Sequence, residues 1–448
     1  MKIRFPTIST SSPLLASYVA LIIGTHHNYG FYTPFAFVAV VASFLCLLWA
    51  AATASQDRGT ERHFPEWLAF LVLLLFLLLG ARRLPGMYLQ SQPYAVLYFY
   101  CTLLLIPLLT FAYLLPCKGR VRQWIFGVAI LIAFAFRIAM PSASPKPIID
   151  VFVVIQESAA HLLEGMNPYD TPTSDVYGNR PYSFLGYPYP PASLYPLVLG
   201  YALFGDIRYV YILSEAIFVA VLWYLARPRW KSEMTELLVL LFLFQPQSLF
   251  ILEQSWNQPL ILLFLSLALF FKERRRPLLA AASYGYMLST KHELLFFVVH
   301  WFLIERRWRY LVFGIVVGGA TLIPFLLWNP LLFIERAIWA ALTASLPPGS
   351  LGIPTFIRHV GGPALGAWTG VAVGGVACVS TMFLFPKVQP SIRFLFASTI
   401  TTFTIFLFGT HAYANNYYFV SALIIFLLTM YGGHREHSPP ISGGTLAR

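Results

Sequence analysis

PSASPKPIIDVFVVIQESAAHLLEGMNPYD, residues 141–170, is the segment on which the fold turns. Before it lie apolar runs separated by short polar gaps, and the same pattern resumes after residue 207. With Asp150 at zero on a helical wheel of about 100° per residue, Glu157, His161 and Glu164 fall within about 40° of it. Val151, Ile155, Ala159, Leu162 and Leu163 fill most of the remaining perimeter. This predicts an amphipathic helix with one acidic stripe, suited to lying along a membrane surface. Gly165 follows as a stop, and Asn167-Pro168-Tyr169-Asp170 reads as a turn.

The composition agrees with a membrane setting. Of 448 residues, 58% are hydrophobic and 11% charged, with mean hydropathy +0.69. A soluble domain carries about 25% charged residues, so too few charges remain here to cover a surface facing water. The net charge of +12 sits in short clusters between apolar runs, the pattern of cytoplasmic loops, and nucleic acid is excluded as a partner. Cys46, Cys101, Cys117 and Cys378 lie in or beside apolar runs without ligand spacing, so neither a disulfide framework nor a zinc site is indicated. Lys2 and Arg4 precede a first apolar run that reads as a retained helix rather than a cleaved leader.

A helical span needs roughly 20 apolar residues. Fourteen candidates follow: 11–27, 31–54, 66–83, 93–116, 121–140, 208–226, 234–252, 256–271, 277–290, 294–304, 310–328, 366–385, 391–409 and 416–431. The fold class is therefore all-α, a polytopic membrane protein of about 14 transmembrane helices with an external loop built on an amphipathic helix. Basic clusters at Arg58/Arg62, Lys118/Arg120/Arg122, Arg227/Arg229/Lys231, Lys272/Arg274/Arg275/Arg276, Arg306/Arg307/Arg309 and Lys387/Arg393 all fall inside when both termini are inside. Arg82 and Arg83 are exceptions. The run 191–204 is too short to span and reads as re-entrant or interfacial. The chain then divides into N-terminal helices 1–140, an external loop 141–207, central helices 208–328, a second external loop 329–365, C-terminal helices 366–431 and a disordered tail 432–448.

Several polar groups gather in the external segments. Asp150 stands just beyond a span, where burial can raise a carboxyl pKa and suit it to general-base work; the plain alternative is an acid at a helix N-terminus. Tyr169, Tyr177, Tyr182, Tyr187, Tyr189 and Tyr195 lie in a stretch rich in proline. Their flat apolar faces and hydroxyls suit a sugar, or an interfacial aromatic belt. Glu253, Gln254, Asn257 and Gln258 share the turn LEQSWNQP; Lys291, His292 and Glu293 end a span; His411 lies in GTHAYANNYY. Arg137 and Glu215 fall within spans, where ionisable residues are rare and often functional.

The run Asp150…Glu164-Gly165-Met166-Asn167-Pro168-Tyr169-Asp170, followed by Tyr189-Pro190-Pro191, resembles the first external loop of polyprenol-phosphate-sugar-dependent glycosyltransferases of the GT-C fold. The likeness is greatest to the bacterial mannosyltransferase-like group, family 87. LEQSWNQP, LSTKHELLFF and ERRWR carry it on over about residues 145–330, with a weaker echo from Thr410-His411 to Tyr417. The resemblance implies a hexosyltransferase, mannose being the sugar of the group. The donor would be a polyprenyl-phosphate sugar and the acceptor a lipid or glycan, in a bacterial plasma membrane with the site outside. Asp150 would be the catalytic base, with Lys291, His411, Arg358, Glu253, Tyr169, Tyr189 and Asn257 binding donor phosphate or sugar. No cofactor is implied; many members carry an Asp-x-Asp pair for a divalent metal, whereas Val151 and Phe152 follow Asp150 here. The group usually places this loop after its first span, so the five N-terminal spans are additional. A polymerase or ligase using a diphosphate-linked oligosaccharide is the alternative, and a transporter or flippase stands third.

Overall fold

The computed structural model describes residues 10–54, 64–115, 119–178, 186–340, 349–384 and 388–432. Lys2, Arg4, Arg58, Arg62, Cys117, Lys118, Tyr182, Pro347, Pro348, Lys387 and the tail from residue 433 lie outside the described residues. Among the described residues all regular structure is helical. The helices are α1 Ser11–His27, α2 Pro34–Ala54, α3 Glu66–Arg82, α4 Gln92–Leu114, α5 Gly119–Ala143, α6 Asp150–Leu163, α7 Leu194–Phe204, α8 Arg208–Ala226, α9 Ser232–Leu243 and α10 Ser248–Glu253. They continue with α11 Gln258–Glu273, α12 Pro277–Leu288, α13 Phe297–Trp301, α14 Trp308–Trp328, α15 Pro330–Ile334, α16 Ile353–His359, α17 Ala367–Phe383, α18 Pro390–Phe408 and α19 Ala414–Met430.

Among the described residues, six helices are long and apolar enough to cross a membrane: α2, α4, α5, α8, α14 and α18. Their surroundings differ in a telling way. In α4 and α14 only 22% of the most apolar stretch is buried, against 89% in α18. Leu131 of α5, Leu327 of α14 and Val376 of α17 stand fully out from the bundle. A molecule that puts such side chains on its outer face meets lipid there, not water. α19 is apolar all round and lies at the centre, with every residue but Asn415 buried.

The remaining apolar runs form shorter helices. α1, α3, α17 and α19 have 17 residues each. The run 234–252 breaks at Phe244–Gln247, around Pro246, into α9 and α10, because proline removes a ladder donor and clashes with the preceding turn. α12 has 12 residues, about 18 Å of rise against a hydrocarbon core of about 30 Å. The run 294–304 becomes a five-residue 3₁₀ turn, His292–Phe296, followed by the five residues of α13. α12 and α14 meet backbone to backbone: a Cβ on Gly285 would lie 1.8 Å from the Gly314 carbonyl oxygen, and one on Gly318 2.4 Å from that of Gly285. Small residues at such crossings let membrane helices approach closely.

Contacts between helix ends sort the bundle into two poles. At one pole Arg122 at the start of α5 pairs with Glu233 and Glu236 of α9, and Lys231 with Glu66 of α3. Arg229 after α8 pairs with Glu273 of α11, which also accepts from Ser391 of α18. Trp230 donates to the last carbonyls of α19. This basic pole holds Arg122, Arg229, Lys231, Lys272 and Arg307. At the other pole the guanidinium of Arg208 ties the start of α8 to the carbonyls of Pro141 and Ser144. Arg83, an exception to the charge rule, donates to the carbonyls of His26 and His27 at 2.6 and 2.5 Å. It closes the C-terminus of α1, where a cation is favoured by the free carbonyls.

Arg137 and Glu215 lie mid-bundle. Arg137 Nε is 2.6 Å from Glu215 Oε2, its other nitrogens donate to Ala133 O and Leu243 O, and Tyr418 donates to Glu215 Oε1. Each charge is fully engaged by its neighbours, as a structural pair must be when buried.

Candidate functional site

Asp150 is the first residue of α6, half-buried, with Oδ1 accepting from Val151 N at 2.8 Å and from the Tyr177 hydroxyl at 3.4 Å. Burial raises its pKa above the ordinary 3.8, against the lowering effect of these bonds. α6 begins there because Pro145 and Pro147 prevent an earlier start, and Ile149 is extended. Its apolar face, with Phe152, Ile155 and Ala159, packs on α7, and Gln156 bonds Gly205 O and Ile207 N. The acidic stripe stays on the outside, with Glu157 accepting from Ser174 N.

Lys291 lies between α12 and the 3₁₀ turn, with Nζ 2.7 Å from Glu293 Oε1. It is 8% exposed. Glu293 titrates at about 2: burial pushes its pKa up, but Lys291 and then His292 pull it further down. Lys291, Glu293, Gln258 and Thr402 line one small cavity with Ile261 and Phe406. Its polar wall includes Gln258 Oε1 and Thr402 Oγ1, both buried without a hydrogen-bond partner in the chain. The ring of His411 is open to solvent on one side, with Nδ1 3.0 Å from Thr410 Oγ1. Partial enclosure still lowers its pKa; Glu293 opposes this, while Lys291 and His292 add to it.

Tyr189 feels the charge of both groups. Burial raises its hydroxyl pKa, and the negative charges of Asp150 and Glu293 both raise it further. One ring therefore lies within electrostatic reach of the base candidate on α6 and of the carboxylate that holds Lys291. Tyr177, pushed up to about 12 by burial and then by Asp150, flanks the same carboxylate.

Other residues of the expected set face elsewhere. Tyr169 is 1% exposed, packs edge-on against Tyr187, Phe325 and Phe333, and donates to Tyr189 O at 2.7 Å. Its faces are spent on packing, and it holds Tyr189 in place. Asn257 accepts from Tyr211 at 2.6 Å inside the bundle. Glu253 is fully buried and accepts from Met87 N at 2.6 Å, Tyr88 N at 2.9 Å and Gln254 Nε2 at 3.1 Å. Arg358 is exposed on α16, whose Phe356 stacks on Phe37 of α2; no contact joins it to Lys291 or Asp150 among the described residues. Also among the described residues, no three His, Cys, Asp or Glu side chains converge as metal ligands.

Sequence reasoning missed Tyr88, whose pKa is raised by burial and then by both Glu253 and Asp150. The signal was Leu84-Pro85-Gly86, a turn placed after two arginines on the unexpected side of the charge rule.

The apolar outer face and the six long apolar helices describe an integral membrane protein. Residues 187–362 match the model of glycosyltransferase family 87, a likeness that supports a membrane glycosyltransferase. The matched stretch contains Tyr189, Glu253, Asn257, Lys291 and Arg358, while Asp150, Tyr169 and His411 lie outside it. No curated protein and no solved structure matches the chain.

Proposed function

We propose that the protein transfers a hexose, mannose in the first instance, from a polyprenyl-phosphate donor to a hydroxyl acceptor on the non-cytoplasmic face, with inversion. The observation that supports the reading is the buried Lys291–Glu293 pair lining a small cavity with the unpartnered Gln258 and Thr402 oxygens, with Asp150 half-buried at the start of α6. Basic loops favour the cytoplasm, so the pole opposite the basic clusters faces out. The shortness of α12 and α13 favours a lipid-linked donor, since the phosphate of such a lipid would lie near the recessed end.

Asp150 takes the proton from the acceptor hydroxyl as its oxygen attacks the anomeric carbon. The bond from that carbon to the phosphate oxygen breaks, and its electron pair leaves on the polyprenyl phosphate. Single displacement inverts the anomeric centre, as in other inverting sugar chemistry. An ammonium has three N–H donors. Glu293 engages one, so Lys291 keeps donors for the leaving phosphate, and charge stabilisation of this kind is the largest catalytic term. Tyr189, with an apolar face and a fixed backbone, serves as the sugar platform.

The test is donor choice by the purified full chain in liposomes, with polyprenyl-phosphate mannose and a polyprenyl-diphosphate oligosaccharide supplied separately. Turnover of the monophosphate donor, with an inverted glycosidic bond by NMR, is expected. Turnover of the diphosphate donor alone would replace this reading with a polymerase or ligase.

A further inference from the structure

Glu253 is the least expected carboxylate in the molecule. It is fully buried, and a buried charge is costly unless its lone pairs are taken up. Two successive backbone amides, Met87 N and Tyr88 N, supply the bonds, with Gln254 a third. Successive amides aimed at one anion form a small backbone cradle. The approach depends on Gly86, where a Cβ would lie 2.3 Å from Glu253 Oε1 and 2.6 Å from Cδ. The carboxylate thus reaches across from α10 to grip a loop that belongs to the N-terminal helices.

The same loop is held from its other side. Ser144 Oγ donates to Tyr88 O at 3.0 Å. Gln90 N and Ser91 N donate to Ala143 O at 2.8 and 3.2 Å. Ala143 ends α5 and Asp150 begins α6, so the stretch between them leads directly into the base. The loop is fixed on one side to the central helices and on the other to this lead-in. Tyr88 lies on this loop, and the charges of Glu253 and Asp150 both add to the raising of its pKa by burial.

We propose that Glu253 and Gly86 form a clamp that sets the loop 83–91 as a wall beside Asp150, making Glu253 a positioning residue and not a ligand of sugar or phosphate. The wall is contributed by helices outside the matched stretch 187–362. The proposal rests on the reading of Asp150 as base, but its geometry can be tested without substrate.

The full chain in nanodiscs is treated with a water-soluble carbodiimide and glycine ethyl ester, and carboxylate labelling is followed by peptide mass spectrometry. Gly86→Ala, which alters no polar group, and Glu253→Ala should each speed labelling of Asp150 several-fold, with the exposed Glu164 unchanged as an internal control. Glu253→Gln keeps an acceptor oxygen and should fall between them and the parent. With polyprenyl-phosphate mannose as donor, both alanine variants should lose about tenfold or more in kcat, as misplacement of a base does, with KM little changed. Ser144→Ala, which weakens the hold on the loop from the other side and removes one bond to Glu253 while keeping its carboxylate and both backbone amides, guards against a folding failure of the other two and should also unmask Asp150. Unchanged Asp150 labelling in these variants, with faster amide exchange over residues 84–90, would overturn the proposal. So would parent-like turnover in Gly86→Ala beside a dead Glu253→Ala, which would place Glu253 on the substrate. Unmasking of Asp150 together with full turnover by Asp150→Asn would leave the clamp standing and remove the base.

Discussion

The two poles of the bundle use the same kinds of residue to opposite ends. At the basic pole the buried carboxylates are each held by cations, although Thr235 Oγ1 and Arg393 Nε there are buried without a partner. Arg122 is held by Glu233 and Glu236, Tyr113 also donates to Glu236, and Glu305 is shared by Lys272 and Arg307. At the opposite pole the Gln258 oxygen and the Asn416 oxygen are buried without a partner in the chain. Asp150 sits beside tyrosines and no cation bonds to it among the described residues. Carboxylates paired in this way are structural. A cavity that leaves desolvated polar atoms open has stability withheld from it, and that is the mark of a place built to receive something else.

The contrast can be broken by substitution, starting with the largest effect. Asp150→Asn should lower turnover by about 10²–10⁴, the range for lost acid–base help. Because burial already disfavours this charge, the variant should melt no earlier than the parent; a loss of melting temperature in step with activity would make Asp150 structural. Arg122→Ala should do the reverse. It strands the buried Glu236 carboxylate and should cost about 3–5 kcal/mol of stability, with turnover per folded molecule unchanged.

A pH series sharpens the same division. As the proposed base Asp150 must be ionised to act, and its pKa is raised, so kcat/KM should fall with acid above the ordinary pH 3.8 of a free aspartate. Glu293 and Glu305, both pulled down to about 2 from 4.5, behave otherwise. Their depressed values contribute stability that is complete above 4.5 and lost as pH falls toward about 2. Acid should silence the enzyme before it unfolds it, and coincident midpoints would contradict the assignment. The smallest effect is expected of Arg358→Ala. Its side chain is exposed, and donor KM should stay within about twofold, as at surface positions generally; a tenfold rise would restore it to the phosphate site.

Much of this was legible along the chain, for definable reasons. Apolar runs mark helices because the hydrocarbon phase demands them, and the amphipathic period predicted α6 from Asp150 onward. The basic clusters foretold which helix ends share a pole. Partners were not legible. Tyr169 looked like a sugar platform because composition records a ring and not whether its faces are taken; Phe325 and Phe333, more than 150 residues away, take them. Glu253 looked like a site acid because its grip on Met87 and Tyr88 joins segments 165 residues apart or more. Arg83 offended the charge rule because a helix terminus outbid it, and the brevity of α12 was hidden inside a run of ordinary hydropathy.

Gly285 contributes no charge, no hydrogen-bonding side chain and no catalytic atom, yet it governs how deep α12 seats against α14. Lys291 follows only three residues after that helix ends. A single added methyl group would wedge the two helices apart and shift the Lys291 ammonium with them. In a mutational survey such a variant would score as an inactive enzyme with every polar residue intact, and the lesion would lie in the spacing of two backbones.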